Sequence, residues 1–245
     1  MTQIYPGIWK ITFGRPEEDT PIKLCDFTPD NAGLSLLPAV SECPIAEEAI
    51  TARQVKRGMV VEIPLDVGEQ IYGLGLQLNS FNQRKRKKML RVNSDPRLDL
   101  GDSHAPVPFY VSTAGYGVLV DTARYLTFTF GEASRKRMPA EEVREPKGKF
   151  FPPESFYAWV SEDRGKPVLV EIPASAGVDV YIFSGPTMRA AVQRYNLFCG
   201  GGCLPPRWGL GVWYRTSFGF GQEQVLGMAK SLRAEEMPCD VLGLE

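Results

Sequence analysis

The chain of 245 residues has one histidine, His104, and five cysteines. A structural zinc site of cysteine and histidine needs four ligands. Cys199 and Cys203 form the one close pair, as C-x3-C, and His104 stands about a hundred residues away. The odd number and wide spread of Cys25, Cys43, Cys199, Cys203 and Cys239 point to structural or free thiols, with no metal and no cofactor. The run Gly200–Gly202 lacks the lysine of a phosphate loop and opens no helix, so it reads as a flexible linker. Excess charge is also missing. Lys plus Arg total 28 against 29 for Asp plus Glu, which argues against broad attraction to nucleic acid or an anionic membrane. No apolar run reaches the roughly 18 residues of a membrane-spanning helix. The N-terminal MTQIYPGIWK has none of the regions of a secretion signal, so a cytoplasmic location is expected.

What is present is an ordinary globular composition, 43% hydrophobic and 23% charged. Upstream of about residue 185 the chain is β-rich. Short runs at Met59–Leu65, Gln70–Leu76, Pro108–Ser112, Tyr116–Asp121, Tyr125–Phe130, Phe156–Val160 and Val178–Phe183 are separated by turn residues. Ala114-Gly115 reads as a tight turn within a meander, and the spacing predicts an antiparallel β-sandwich. Arg135–Lys149 is polar enough for a long exposed loop, and Met188–Phe198 reads as a short helical connector. The basic run Gln83–Lys88 (QRKRKK) could be a nucleic-acid patch, but the near-neutral net charge favours a solvated hairpin or loop.

The last forty residues change period. Trp208–Tyr214 (WGLGVWY) suits a buried strand, and a glycine-bearing loop, Thr216–Gly221, follows it. Val225, Ala229 and Leu232 then fall at i, i+4 and i+7, the apolar stripe of a helix over Gln222–Glu236 that Pro238 closes. Asp240–Leu244 (DVLGL) is a second strand, so the segment predicts a parallel βαβ unit. Two parallel strands cannot make a stable sheet alone, and the segment reads as the opening of a βα-barrel cut off at Glu245.

The stretches EQIYGLGLQLNSFNQRKRKKML (Glu69–Leu90), HAPVPFYVSTAGYGVLVDTARY (His104–Tyr125), PPRWGLGVWY (Pro205–Tyr214) and the final MPCDVLGLE together resemble glycoside hydrolase family 31. The resemblance implies a mainly β chain. A galactose-mutarotase-like antiparallel sandwich (1–185) leads through a helical connector (186–204) into the first βαβ unit of a truncated (β/α)8 TIM barrel (205–245). Two positions depart from the commoner family pattern: Lys85 stands where many members have glycine, and Glu245 where many have aspartate. The longer glutamate bears on sugar preference, because a packed pocket feels one methylene.

The activity implied is that of a retaining, exo-acting α-glycosidase with a carbohydrate substrate. One aspartate attacks the anomeric carbon, and a second protonates the leaving oxygen and then activates water. By the resemblance both lie on later barrel strands, so this chain alone is expected to be inactive. Strand ends and loops at the C-terminal face of such barrels line the site. The family pattern assigns Phe218 to pack on the sugar and Glu245 to accept its hydroxyls. It also assigns an aspartate of the sandwich loop Asn93–His104, by position Asp95, with Asp99 and Asp102 as competitors. His104 hydrogen-bonds substrate or holds this loop. A Ser-His-Asp reading of His104 with Ser103 and Asp102 fails because adjacent residues lack the mutual geometry. Phe218 as a core aromatic and loop aspartates as turn formers are the plainer alternatives. A non-catalytic carbohydrate-binding or structural sandwich stays open at this point, as does homo-oligomerisation.

Overall fold

The computed structural model describes residues 1–25, 27–77, 80–93, 103–131 and 166–244. The expected strand Phe156–Val160, the loop Arg135–Lys149, and Asp95, Asp99, Asp102 and Glu245 lie outside the described residues. The chain divides into two compact units, Met1–Gly201 and Gly202–Glu245.

The first unit contains eleven described strands: β1 (Thr2–Tyr5), β2 (Ile8–Gly14), β3 (Thr51–Val55), β4 (Gly58–Ile63), β5 (Ile71–Gln77), β6 (Lys87–Leu90), β7 (Ser103–Ser112), β8 (Tyr116–Asp121), β9 (Leu126–Phe130), β10 (Val168–Pro173) and β11 (Gly177–Ser184). They form a six-stranded sheet, β1-β2-β11-β8-β7-β5, and a five-stranded sheet, β3-β4-β10-β9-β6. Neighbouring strands are antiparallel throughout. Alternation sends Val118, Val120, Val180 and Ile182 of one sheet against Val61, Ile63, Phe128, Val170 and Ile172 of the other. Full burial of each such side chain contributes roughly 1.5–3 kcal/mol.

The six-stranded sheet is covered on its other face as well. Helix α1 (Pro21–Leu24), helix α2 (Asn31–Ser35) and helix α3 (Met188–Phe198) lie in the segments that supply this layer. Leu119, Tyr181 and Phe183 pack there with Leu34, Ala191 and Phe198. Being covered on both sides, β8 and β11 are buried at every position. Tyr195 of α3 stacks on Phe109, with ring centroids 3.9 Å apart. Arg194, fully buried, donates to the carbonyls of Pro6, Ser184 and Pro38 and so ties the helix to the β1–β2 turn, the end of β11 and the segment after α2. Burial lowers the pKa of its guanidinium.

The sequence reading is amended at three places in this unit. The apolar run from Gln70 is not a regular strand: Gly73, Leu74 and Gly75 all take positive φ (114°, 65° and 78°), and the β5–β7 register shifts there. This bulge turns Leu74 fully inward, and a Cβ at Gly75 would meet the Ala105 carbonyl at 2.0 Å. Only the middle of the basic run is a solvated turn, with Arg84 half-buried and Lys85 and Arg86 exposed. Gln83 is fully buried, its amide donating to the Ile71 carbonyl at 2.8 Å, and Lys87–Leu90 is a strand in which Lys88 points inward at 3% exposure. Gly200 and Gly201 are not plain linker. Their amides donate to the carbonyls of Leu197 (3.2 Å) and Asn196 (2.8 Å), the Schellman cap of α3, with both residues at positive φ.

In the second unit β12 (Trp213–Arg215), helix α4 (Gln222–Ala234) and β13 (Val241–Gly243) form a βαβ unit. Its strands are parallel, Trp213 opposite Val241 and Arg215 opposite Gly243. The expected buried strand Trp208–Tyr214 is corrected: Arg207–Leu210 is a 3₁₀ turn closed by Gly209 and Gly211 amides on Pro206 and Trp208 carbonyls. Trp208 and Trp213 are more than half exposed. Helix α4 ends at Ala234, earlier than Pro238 suggested, in a cap whose left-handed position is Glu236 (φ 54°). The Met237 amide closes it on the Leu232 carbonyl at 2.9 Å.

Candidate functional site

In the βαβ unit the two strands are latched at both ends. Asp240 precedes β13, and its carboxylate accepts from the Val212 amide at 2.8 Å while its own amide donates to the Val212 carbonyl at 2.9 Å. Gly211 lies so close that a Cβ would meet the Asp240 carboxylate at 2.1 Å. At the other end the amide of buried Thr216 donates to the Gly243 carbonyl at 3.0 Å. The chain then turns, with the Phe220 amide on the Ser217 carbonyl at 3.1 Å, and enters α4 where Gln224 Oε1 accepts from the Gly221 amide. Phe218 is at the tip of that turn, beyond the C-terminal end of β12, and is 87% exposed. The core reading of Phe218 is thereby set aside within this unit.

His104 is the second residue of β7 and is exposed. The start of that strand is pinned from two sides: the Ser103 hydroxyl donates to the Leu76 carbonyl (2.8 Å), and the Asn93 amide donates to the Ser103 carbonyl (2.8 Å). Ser103 is buried and its hydroxyl is engaged with backbone, a structural role rather than a nucleophilic one. His104 and Phe218 stand in different units, and Asp95 and Glu245 lie outside the described residues.

Polar groups at three places, none singled out by sequence reasoning, carry the local architecture. Glu69 Oε2 accepts from the Tyr116 hydroxyl at 2.7 Å and from the Ser112 hydroxyl, while Oε1 accepts from the Asp66 amide at 3.0 Å. One carboxylate thus joins the turn before β5 to both strands of the β7–β8 hairpin. Burial, then the Glu69 charge, push the Tyr116 pKa far up. Asp121 and Asp179 face each other across the β8–β11 register at 2% and 3% exposure. Asp179 is bound by Lys10 (2.8 Å) and Thr12 (2.6 Å), and Asp121 accepts from the Ile22 amide (3.1 Å). Burial, reinforced by Asp179, raises the Asp121 pKa. These two carboxylates lie inside the layer between sheet and covering segment. They are structural. The third is Asp240. Its signal, an acid just before a short apolar strand, is too common to have been read.

The five cysteines are free; Cys199 caps α3 and burial pushes its thiol up to about 11. No helix among the described residues is long and apolar enough to cross a membrane.

Two antiparallel sheets face to face, with the Glu69-held hairpin inside them, are the architecture of a galactose-mutarotase-like sandwich. Residues 46–128 match the model of the glycosyl hydrolase 31 N-terminal galactose mutarotase-like domain. The α-xylosidase XylQ of Lactiplantibacillus pentosus is 25% identical over 74% of this chain and 20% of its own length. An α-glucosidase of Saccharolobus solfataricus is 24% identical over 94% of the chain and 28% of its own length. Among solved structures, a family 31 dextranase from Flavobacterium johnsoniae complexed with isomaltotriose superposes with a TM-score of 0.57 at 19% identity, covering 80% of this chain and 20% of that one. A family 31 α-xylosidase from a soil metagenome, complexed with xylose, gives 0.53 at 18% identity over 81% of this chain and 24% of its own. The match over residues 46–128 and these likenesses support a glycoside hydrolase family 31 N-terminal portion. It spans about a fifth of the length of the α-xylosidases it matches.

Proposed function

We propose that this chain is the N-terminal part of a retaining, exo-acting α-glycosidase that removes terminal α-linked sugars, and that it supplies one side of the sugar pocket. The observation that supports this most directly is the parallel βαβ unit following the sandwich, with Phe218 exposed on the loop at the C-terminal end of its first strand. That is the face on which barrels of this kind bind substrate. An aromatic ring there covers the apolar C–H face of a pyranose. Glu245 would accept charge-assisted hydrogen bonds from its hydroxyls, and the family pattern gives Asp95 and His104 to the substrate as well. Double displacement needs two carboxylates about 5 Å apart on either side of the scissile bond. Of the described acids, Glu69, Asp121, Asp179 and Asp240 are committed to structure, and in this reading the catalytic pair lies beyond Glu245 and the chain alone is inactive. The first unit would form the sandwich and helical connector, and the second the opening of the (β/α)8 barrel.

The test is hydrolysis of aryl α-xylosides, α-glucosides and α-galactosides by the 245-residue chain and by a chain extended through the downstream reading frame. Activity confined to the extended protein supports the proposal and names the sugar. Hydrolysis by the short chain overturns the assignment of the catalytic pair. Silence from both folded proteins favours a non-catalytic carbohydrate-binding sandwich, a reading to which the self-contained core of the first unit lends support.

A further inference from the structure

The outer face of the five-stranded sheet carries a groove of about 290 Å³, away from the residues considered so far. Val168, Val170 and Ile172 of β10 point into the core, so Glu171 and Pro173 point out. Glu171, on the central strand, stands opposite Thr127 of β9. Tyr125, two residues before Thr127 and on the same face, is 63% exposed and carries the Arg91 guanidinium 5.4 Å from its ring centroid. Arg57 enters from the β3–β4 turn and Lys87 from β6. Among the described residues none of Arg57, Lys87 and Glu171 makes an ion pair.

The lining combines an aromatic ring, a hydroxyl, a floor carboxylate and two uncommitted cations. Tyr125 and Pro173 offer a surface to an apolar sugar face, Glu171 and Thr127 offer acceptors to hydroxyl donors, and Arg57 and Lys87 call for an anion. Arg57 and Lys87 against Glu171 leave the groove one net positive charge, which a ligand with a single negative charge neutralises and a phosphate, with about −1.5 to −2 charges, overshoots. We propose that this groove is a second saccharide-binding site, selective for a pyranoside bearing a single carboxylate, as in a uronic acid. The choice of a sugar rests on the glycoside hydrolase reading above; the choice of a monoanion rests on the groove's charges.

The test is calorimetric titration of the full 245-residue chain with methyl α-galacturonide, isomaltotriose and glucose 6-phosphate. Methyl α-galacturonide should bind most tightly, weaken with added salt, and lose at least about tenfold in affinity in the Arg57→Ala and Lys87→Ala variants, as expected for a lost charge-assisted hydrogen bond. Tyr125→Phe should keep binding and Tyr125→Ala lose it, both with unchanged circular dichroism. Phe218→Ala should have no effect. The proposal is overturned by equal affinity for isomaltotriose, tighter binding of glucose 6-phosphate, no binding of methyl α-galacturonide, or binding that survives the paired Arg57→Ala and Lys87→Ala changes. Loss of binding in Phe218→Ala also overturns it, moving the sugar to the barrel unit and leaving the glycosidase reading intact.

Discussion

Helices α3 and α4 close with the same Schellman hydrogen bonds, yet they live in different environments. In α3 the left-handed cap position is Gly200, four residues are buried, and Arg194 is spent on three carbonyls of other segments. In α4 the same cap position is Glu236, no residue is buried, and Gly227 has open space around it. The sandwich completes its own core within Met1–Gly201; the βαβ unit is held by backbone pairing and the Asp240 latch, with Val225, Ala229, Leu232, Val241 and Leu242 only half-buried. Local hydrogen bonding suffices to shape a supersecondary unit, while burial decides how much each residue is worth.

The comparison breaks most easily at Arg194. Replacing it with Met should destabilise the first unit by about 3 kcal/mol or more, because three acceptors lose a charged donor inside the protein. A change under about 1 kcal/mol in urea unfolding would show that the helix layer is not tied down this way. The same substitution made in both regions sharpens the contrast. Gly75→Ala meets a backbone carbonyl and a φ of 78°, and should cost about 2 kcal/mol or more. Gly227→Ala, on the open flank of α4, should stabilise by about 0.5–1 kcal/mol through helix propensity. Should Gly227→Ala destabilise instead, that flank is covered by something. Glu236→Gly removes a left-handed cost of about 1–2 kcal/mol and adds roughly 0.5–1 kcal/mol of chain entropy, for a net gain of about 0.5–1 kcal/mol in thermal unfolding.

The smallest effect is electrostatic. Burial raises the folded pKa of Asp121 above its unfolded value, with Asp179 adding to the shift and Thr20, the Ile22 amide and Lys23 opposing it. The folded state therefore holds that proton more tightly, and stability rises as pH falls from neutral through the raised pKa toward the unfolded one. Asp121→Asn should compare best with the parent at neutral pH and lose ground on acidification. A pH-independent difference in denaturation midpoints would refute this.

Much of the sandwich was legible because short apolar runs such as Tyr116–Asp121 and Val178–Phe183, bounded by turn residues, are strands buried on both faces in the fold. Strand β6 was hidden. Its inward positions are Lys88 and Leu90, and a charged residue pointing inward erases the alternation that would reveal it. The bulge at Leu74 was equally invisible, since a leucine at φ 65° follows from the backbone's approach to β7 rather than from its own preference. At position 85 the resemblance had noted lysine in place of a common glycine, and the structure gives that lysine a φ of 58°. Of the site, only the exposed settings of His104 and Phe218 could be compared with expectation.

By itself the sequence determined the class of fold and the parallel βαβ segment and pointed to a family, because those rest on periodicity and on motifs that are local in the chain. Tertiary structure alone decided the uses of Glu69, Arg194, Asp121 and Asp240. Each of these polar groups acquires its role from partners distant in sequence, and the cost of burying a polar group unpaired leaves no signature in the residue that bears it.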